Sequence, residues 1–223
     1  MSMLSLKDLG LSMRKLLRFS VQLLMMIFLL MLFAQVLTSR TYMNVSQGRY
    51  ATHSQITYDH SYVAHQLIDY LNYRHDDLTF GANALDDSVL MRDIEIRHMV
   101  DVKNLYTLLR AVALGSGLIA FGYLFYLYKK DKQELTETLK TMFLIPLFFT
   151  VFLGGWMLID FNRVFTRFHE LFFTNDDWIL RADDVLIRLL PTPFWLTSAL
   201  IILALLVLSQ AIFYVIGYKF KKK

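Results

Sequence analysis

Four apolar runs decide what this chain can fold into: about 19–37, 107–128, 141–159 and 194–217. Each is long enough as a helix to cross roughly 30 Å of hydrocarbon. Inside a bilayer every backbone amide must find its partner within the protein, so an unbroken apolar run of this length is read as a spanning helix. The expected fold class is therefore an all-α integral membrane protein with four transmembrane helices. Residues 1–223 form a single membrane domain. The 56% hydrophobic content and mean hydropathy of +0.41 are too apolar for an ordinary soluble domain. The chain has no cysteine, which excludes a disulfide framework, a thiolate nucleophile and a cysteine-based metal site. Arg14, Lys15 and Arg18 precede the first run, as in a secretory signal. That run is longer than a typical signal core and lacks an A-x-A site after it, so it is expected to stay as an anchor.

Charge assigns orientation. Lys7, Arg14, Lys15 and Arg18 precede the first span, Lys129, Lys130, Lys132 and Lys140 join the second to the third, and four lysines close the chain. Only Asp8, Asp131, Glu134 and Glu137 oppose them. The other side carries more acids than cations, with Lys103 its only lysine. The positive-inside rule then puts both termini in the cytoplasm, with 38–106 and 160–192 forming a small extracytoplasmic cap. The basic balance reports orientation and attraction to the membrane surface and gives no reason to invoke nucleic acid.

Within the cap, Val63, Leu67 and Tyr70 or Leu71 recur at helical spacing, and the following HDDLTFGANALDDS is turn-rich. A second helix is expected from about Ser88, with Met99, Val102 and Leu105 on one side, running straight into the second span. Phe161, Phe165, Phe168 and Phe172 predict an amphipathic helix lying in the interface. Two polar turns flank Trp178, and LLPTPFW opens the fourth span with Thr192 as N-cap and Pro193 at the first helical position. Trp195 then stands at headgroup level.

All six histidines, His53, His60, His65, His75, His98 and His169, fall in the cap. No H-E-x-x-H pattern or i, i+4 histidine pair suggests a metal, and none is expected. The GSG at Gly115–Gly117 lacks the further glycine of a serine-nucleophile motif and reads as helix packing. His98 has Glu95 three residues before it and Asp101 three after, a pattern in which a carboxylate can fix the ring's tautomer for general-base work. The same spacing also describes a solvated charged surface. His169 borders the phenylalanine stripe, where desolvation keeps an imidazole neutral, although its tip can also reach water. Both histidines lie beside a span on the same side, so they can face each other. Arg97, Arg163 and Arg167 are near them in sequence, as candidates to hold a carbonyl oxygen or as interfacial anchors.

Glu95, His98, Met99, Asp101, Val102 and Lys103, with Phe168, His169, Phe172, Phe173, Trp178 and Pro191 to Trp195, resemble the pattern E-x-x-H-M-x-D-V-K and F-H-x-x-F-F…W…P-x-x-x-W of the bacterial lipoprotein intramolecular transacylase family. The resemblance covers essentially the whole chain. It implies a substrate lipoprotein whose N-terminal cysteine carries a diacylglyceryl group and a free α-amine. The sn-2 acyl chain would move to that amine, giving the lyso-form. The resemblance makes His98 and His169 the catalytic candidates, while helical spacing offers Glu95 and Asp101, and proximity in sequence offers Arg97 and Arg163, as supporting residues; no cofactor is expected. The protein would then be a multi-pass cell-membrane enzyme with its active face outside the cytoplasm. Nucleophile and ester would sit in one substrate molecule, so no enzyme nucleophile is required. One assignment makes His98 with Asp101 the base and His169 the relay or donor. The competing expectation is a non-catalytic four-span protein whose cap binds a partner or lipid. A separate outer-leaflet hydrolase would want an activated serine.

Overall fold

The computed structural model describes residues 10–50 and 58–221; His53, Lys7, Asp8, Lys222 and Lys223 lie outside them. Among the described residues the chain is all-helical, with no strand. In order, the helices are α1 (Leu11–Leu37), α2 (Arg40–Tyr50), α3 (His60–Leu71), α4 (Asp93–Lys130), α5 (Lys132–Thr141), α6 (Leu144–Ile159), α7 (Phe161–Phe172), α8 (Val185–Leu189) and α9 (Thr192–Lys221). Four segments are long and apolar enough to cross a membrane: Leu11–Leu37, Asp93–Lys130, Lys132–Ile159 and Thr192–Lys219. The chain is a multi-pass membrane protein.

Two compact units divide it. The first comprises the described residues up to Phe33, Arg110–Gly155 and the chain from Ile202 onward. Its core gathers Met25, Leu29, Leu127, Met142 and Leu206, each almost wholly buried. Lys132–Thr141, expected as a loop, is helical here. Asp131 caps it by accepting from the Glu134 amide, and Leu135 and Leu139 bury one stripe. The buried Glu134 carboxylate accepts from Arg18 Nε at 2.5 Å and from its Nη2 at 2.8 Å. Gly117 packs under the Phe28 ring, where an added Cβ would lie 2.5 Å from the ring edge, in keeping with the packing role read for this stretch. Gly217 lets α9 approach α5: a Cβ there would lie 2.9 Å from Leu139 Cβ and 3.1 Å from the Lys140 amide nitrogen. Gly217→Leu is expected to lower thermal stability in detergent by about 1–3 kcal/mol, the usual cost of overpacking. Gly122→Leu, with nothing within 4 Å of its Cβ, is the neutral control.

The second unit comprises Ala34–Leu109 and Trp156–Ile201. Val63, Ala64, Leu67, Leu78 and Leu189 are essentially fully buried in its core. Asp59 caps α3, and the helix closes with Tyr73 in the left-handed region at φ 60°. The Tyr73 amide then donates to the Tyr70 carbonyl and the Arg74 amide to the Asp69 carbonyl, the hydrogen-bond pattern of a Schellman end. Asp69, nearly inaccessible, is paired with both Arg40 and Arg74. The helix expected from Ser88 begins five residues later, at Asp93. The Glu95 carboxylate reaches back to the Arg92 amide at 2.9 Å and fixes that start. Residues 93–106 of α4 hold Asp93, Glu95, Arg97, Asp101 and Lys103, so this part lies before the apolar span. The fourth spanning helix starts one position earlier than expected. The Pro191 carbonyl accepts from Phe194 and Trp195, making Pro191 the cap and Thr192 the first helical residue.

Candidate active site

The second unit brings His98, on the charged first turns of α4, against His169, near the end of α7. Asp160 starts α7 by accepting from the Arg163 amide at 3.0 Å. The helix stops where Phe173 turns extended, its amide still bonded to the His169 carbonyl at 2.8 Å. Of the expected phenylalanine stripe, Phe168 and Phe172 are exposed, as is Leu171, while Val164 and His169 face inward. Large apolar groups left open on a short helix are suited to contact with lipid.

The two imidazole rings stand 5.9 Å apart, centre to centre, tilted by 34°. Both side chains are more than nine-tenths buried. Around His169 pack Phe165 at 4.1 Å, Trp178 at 5.0 Å, Phe168 at 5.5 Å and Phe173 at 5.6 Å. Phe173 also lies edge-on to His98 at 5.4 Å. His169 Nδ1 is 2.7 Å from the Phe165 carbonyl oxygen. A carbonyl can only accept, so Nδ1 carries the proton, and in the neutral ring Nε2 holds a lone pair. His98 Nδ1 is buried with no hydrogen-bond partner among the described residues.

Burial holds both rings in the neutral form. The His98 pKa is lowered to about 4, first by desolvation and then by the neighbouring His169, against smaller raising effects of Asp101 and Asp177. His169 is lowered by desolvation, opposed by its bond to the Phe165 carbonyl. The unfolded chain takes up a proton near pH 6.5 that folded His98 refuses until about 4, so stability is full above 6.5 and falls as pH drops through that window. The loss expected from His98 by pH 4 is about 3 kcal/mol, and His98→Phe should remove that part of the pH dependence. Unfolding midpoints in detergent at pH 7.5 and 4.5 measure it. Equal pH dependence in the two proteins would overturn the assignment.

The other sequence-derived candidates divide. Glu95 does not engage His98. Its fully buried carboxylate accepts from the Arg92 amide and, at 2.9 Å, from the Leu186 amide that opens α8. Burial pushes its pKa up, against the lowering effect of those two amides. Asp101 accepts from Asn175 Nδ2 at 2.8 Å. Arg97 forms a forked pair with Asp177 at 2.9 and 3.0 Å, which holds that carboxyl below its usual range. Arg163 is an exposed partner of Asp160, six residues before His169 and so about 240° around the helix from it. Arg167 pairs with Glu170. Lys103 Nζ sits over the rings of Tyr70 and Tyr73, at 3.9 and 4.5 Å from their centres. Asn175 and Asp177, which tie the loop after α7 to α4, were not singled out from sequence. Their only local signal is a turn in which Asn175 Oδ1 accepts from the Asp177 amide. Among the described residues no three His, Asp or Glu side chains converge to hold a metal.

What this arrangement can do chemically is move protons beside an apolar wall. It offers a fixed lone pair and a second neutral imidazole whose ring centre is 5.9 Å away, both in largely apolar surroundings.

The family model for "Lipoprotein intramolecular transacylase Lit" matches residues 16–195. The fold is similar to the in meso structure of the membrane-integral lipoprotein intramolecular transacylase Lit from Bacillus cereus, with a TM-score of 0.65 and 22% identity over 95% of this chain and 97% of that one. A variant of that protein with a histidine replaced by arginine superposes with a TM-score of 0.64, again at 22% identity, over 95% of this chain and 93% of that one. An uncharacterized protein of Aquifex aeolicus (strain VF5) is 26% identical over 110 residues, 49% of this chain, and the match spans about half (48%) of that relative's length.

Proposed function

The chain belongs to the lipoprotein intramolecular transacylase family of membrane transferases, and from that premise we propose that it moves the sn-2 acyl chain of a diacylglyceryl lipoprotein to the α-amine of its N-terminal cysteine. The observation that carries this reading is the pair of buried, neutral imidazoles 5.9 Å apart, one with its Nε2 lone pair set by a main-chain carbonyl.

In the proposed reaction the neutral amine attacks the ester carbonyl and a C–N bond forms. His169 Nε2 takes the proton that the nitrogen sheds. The bond from carbonyl carbon to glyceryl oxygen then breaks, and the proton passes, directly or through His98, to that oxygen. Ester and amine become amide and alcohol with no net proton change. This gives His169 the base role that the sequence pattern offered to His98 with Asp101. The reason is that His169 has an orienting partner, while Asp101 is bonded to Asn175. Because substrate supplies both nucleophile and ester, the protein's contribution is orientation and proton traffic. The charge asymmetry of the loops supports cytoplasmic termini and an active face on the extracytoplasmic side.

The test is expression in a bacterium that otherwise makes diacyl lipoproteins, with the N-terminal lipopeptide of an abundant lipoprotein sequenced by tandem mass spectrometry. The expected product is the N-acyl, lyso-glyceryl peptide. An untouched diacyl form from well-expressed protein would sink the transacylase reading in favour of a partner-binding four-span protein. Released fatty acid would point instead to hydrolysis.

A further inference from the structure

A groove of about 290 Å³ lies within the second unit, between α4 and the chain that follows α7. Its lining is graded. Asp101, Asn104 and Asn175 supply polar groups, while Leu105, Leu108 and Phe172 supply apolar surface. Along α4 that order runs from the charged turns toward the apolar span that begins near residue 107. Leu108 is 60% exposed and Phe172 40%. Phe173, a further wall residue, touches both histidine rings. A cavity with a carboxylate at one end and an aliphatic and aromatic wall at the other complements a cationic amphiphile.

Resting on the transacylase reading, we infer that this groove is the substrate's amino-terminal subsite: Asp101 binds the α-ammonium of the diacylglyceryl-cysteine, and Leu105, Leu108 and Phe172 take its glyceryl-linked chain. Asp101 is the one acidic side chain in the lining, and its bonded partner there is the neutral Asn175 amide, which leaves its negative charge available to a cation. The ammonium pairs with that carboxylate on arrival, gives one proton to bulk water at the groove mouth, and the resulting amine faces the ester. Asp101 is then a specificity determinant that separates free-amine lipopeptides from those already N-acylated, including the product.

The experiment uses the full-length protein in detergent micelles with a dipalmitoylglyceryl-cysteinyl peptide as substrate. Asp101→Asn, which keeps an oxygen for Asn175, is expected to raise KM at least about tenfold, the usual worth of one charge-assisted contact, with kcat changed much less. Asp101→Glu should recover part of the loss. Binding is read separately from turnover with dialkyl-ether analogues, which cannot transfer a chain. Wild type should bind the free-amine ether about tenfold or more tightly than its N-acetyl counterpart, and Asp101→Asn should bind the two alike. Equal affinity of wild type for both ethers, or an unchanged preference in Asp101→Asn, overturns the subsite. An inactive wild type that still prefers the free amine would retain the subsite and sink the transfer reaction, so the two failures are distinguishable.

Discussion

His169→Ala is expected to slow formation of the N-acyl lyso-lipopeptide by about 10²- to 10⁴-fold, the range typical for loss of a positioned proton acceptor. The decisive atom is Nε2, because Nδ1 is committed to the Phe165 carbonyl. His169→Gln fills much of the same volume and cannot take up a proton near neutral pH, so it should be nearly as slow as alanine while remaining folded. His98→Ala should also fall by orders of magnitude if the proton travels through both rings. The double variant should then be little worse than either single one, because groups acting as one relay are lost together. Initial rates on a synthetic diacyl lipopeptide, followed by mass spectrometry, measure all four proteins. A His169→Gln protein within a few-fold of wild type would remove this ring from the reaction.

The second large effect concerns stability. Glu95→Ala is expected to cost about 2–6 kcal/mol, because the amides of Arg92 and Leu186 both lose their acceptor inside a fully buried site, at about 1–3 kcal/mol each. These amides open α4 and α8, so the damage should spread to the docking of both. Glu95→Gln keeps one good acceptor and turns an NH₂ group toward the other amide, so an intermediate loss is expected. Thermal unfolding in detergent reads the difference. A Glu95→Gln protein of wild-type stability and strongly reduced turnover would contradict this and return Glu95 to the neighbourhood of His98.

That contrast explains how far the residues alone could be read. The spans were legible because a bilayer demands apolar length, a property of composition more than of tertiary detail. α3 was legible from Val63, Leu67 and Leu71. α5 was hidden by charge: KQELTETLK reads as a loop until Leu135 and Leu139 find the core of the first unit. α2, RTYMNVSQGRY, has little apolar periodicity, and α8 is only five residues long. Around His98, three-residue spacing placed Glu95 and Asp101 about 60° to either side of the imidazole. Spacing restricts direction, but the fold decides which neighbour captures each carboxylate, and here the captors were Leu186 and Asn175. The approach of His98 to a ring 71 positions away is a long-range event that no local periodicity encodes. Their shared side of the membrane allowed the two rings to meet, and the family resemblance joined the two motifs.

The bond from His169 Nδ1 to the Phe165 carbonyl has a consequence for how this site tolerates change. In many catalytic histidines the orienting partner is a carboxylate, and one substitution deletes it. Here the partner is a main-chain oxygen four residues back on the same helix, present whatever side chain occupies position 165. Drift at that position can reshape the wall around the imidazole without erasing its tautomer. The orientation is vulnerable instead to anything that unwinds α7 or slips its register, such as a proline or a one-residue deletion between 165 and 169. The orientation of the imidazole is thus inherited with the helix more than with any one neighbour's identity.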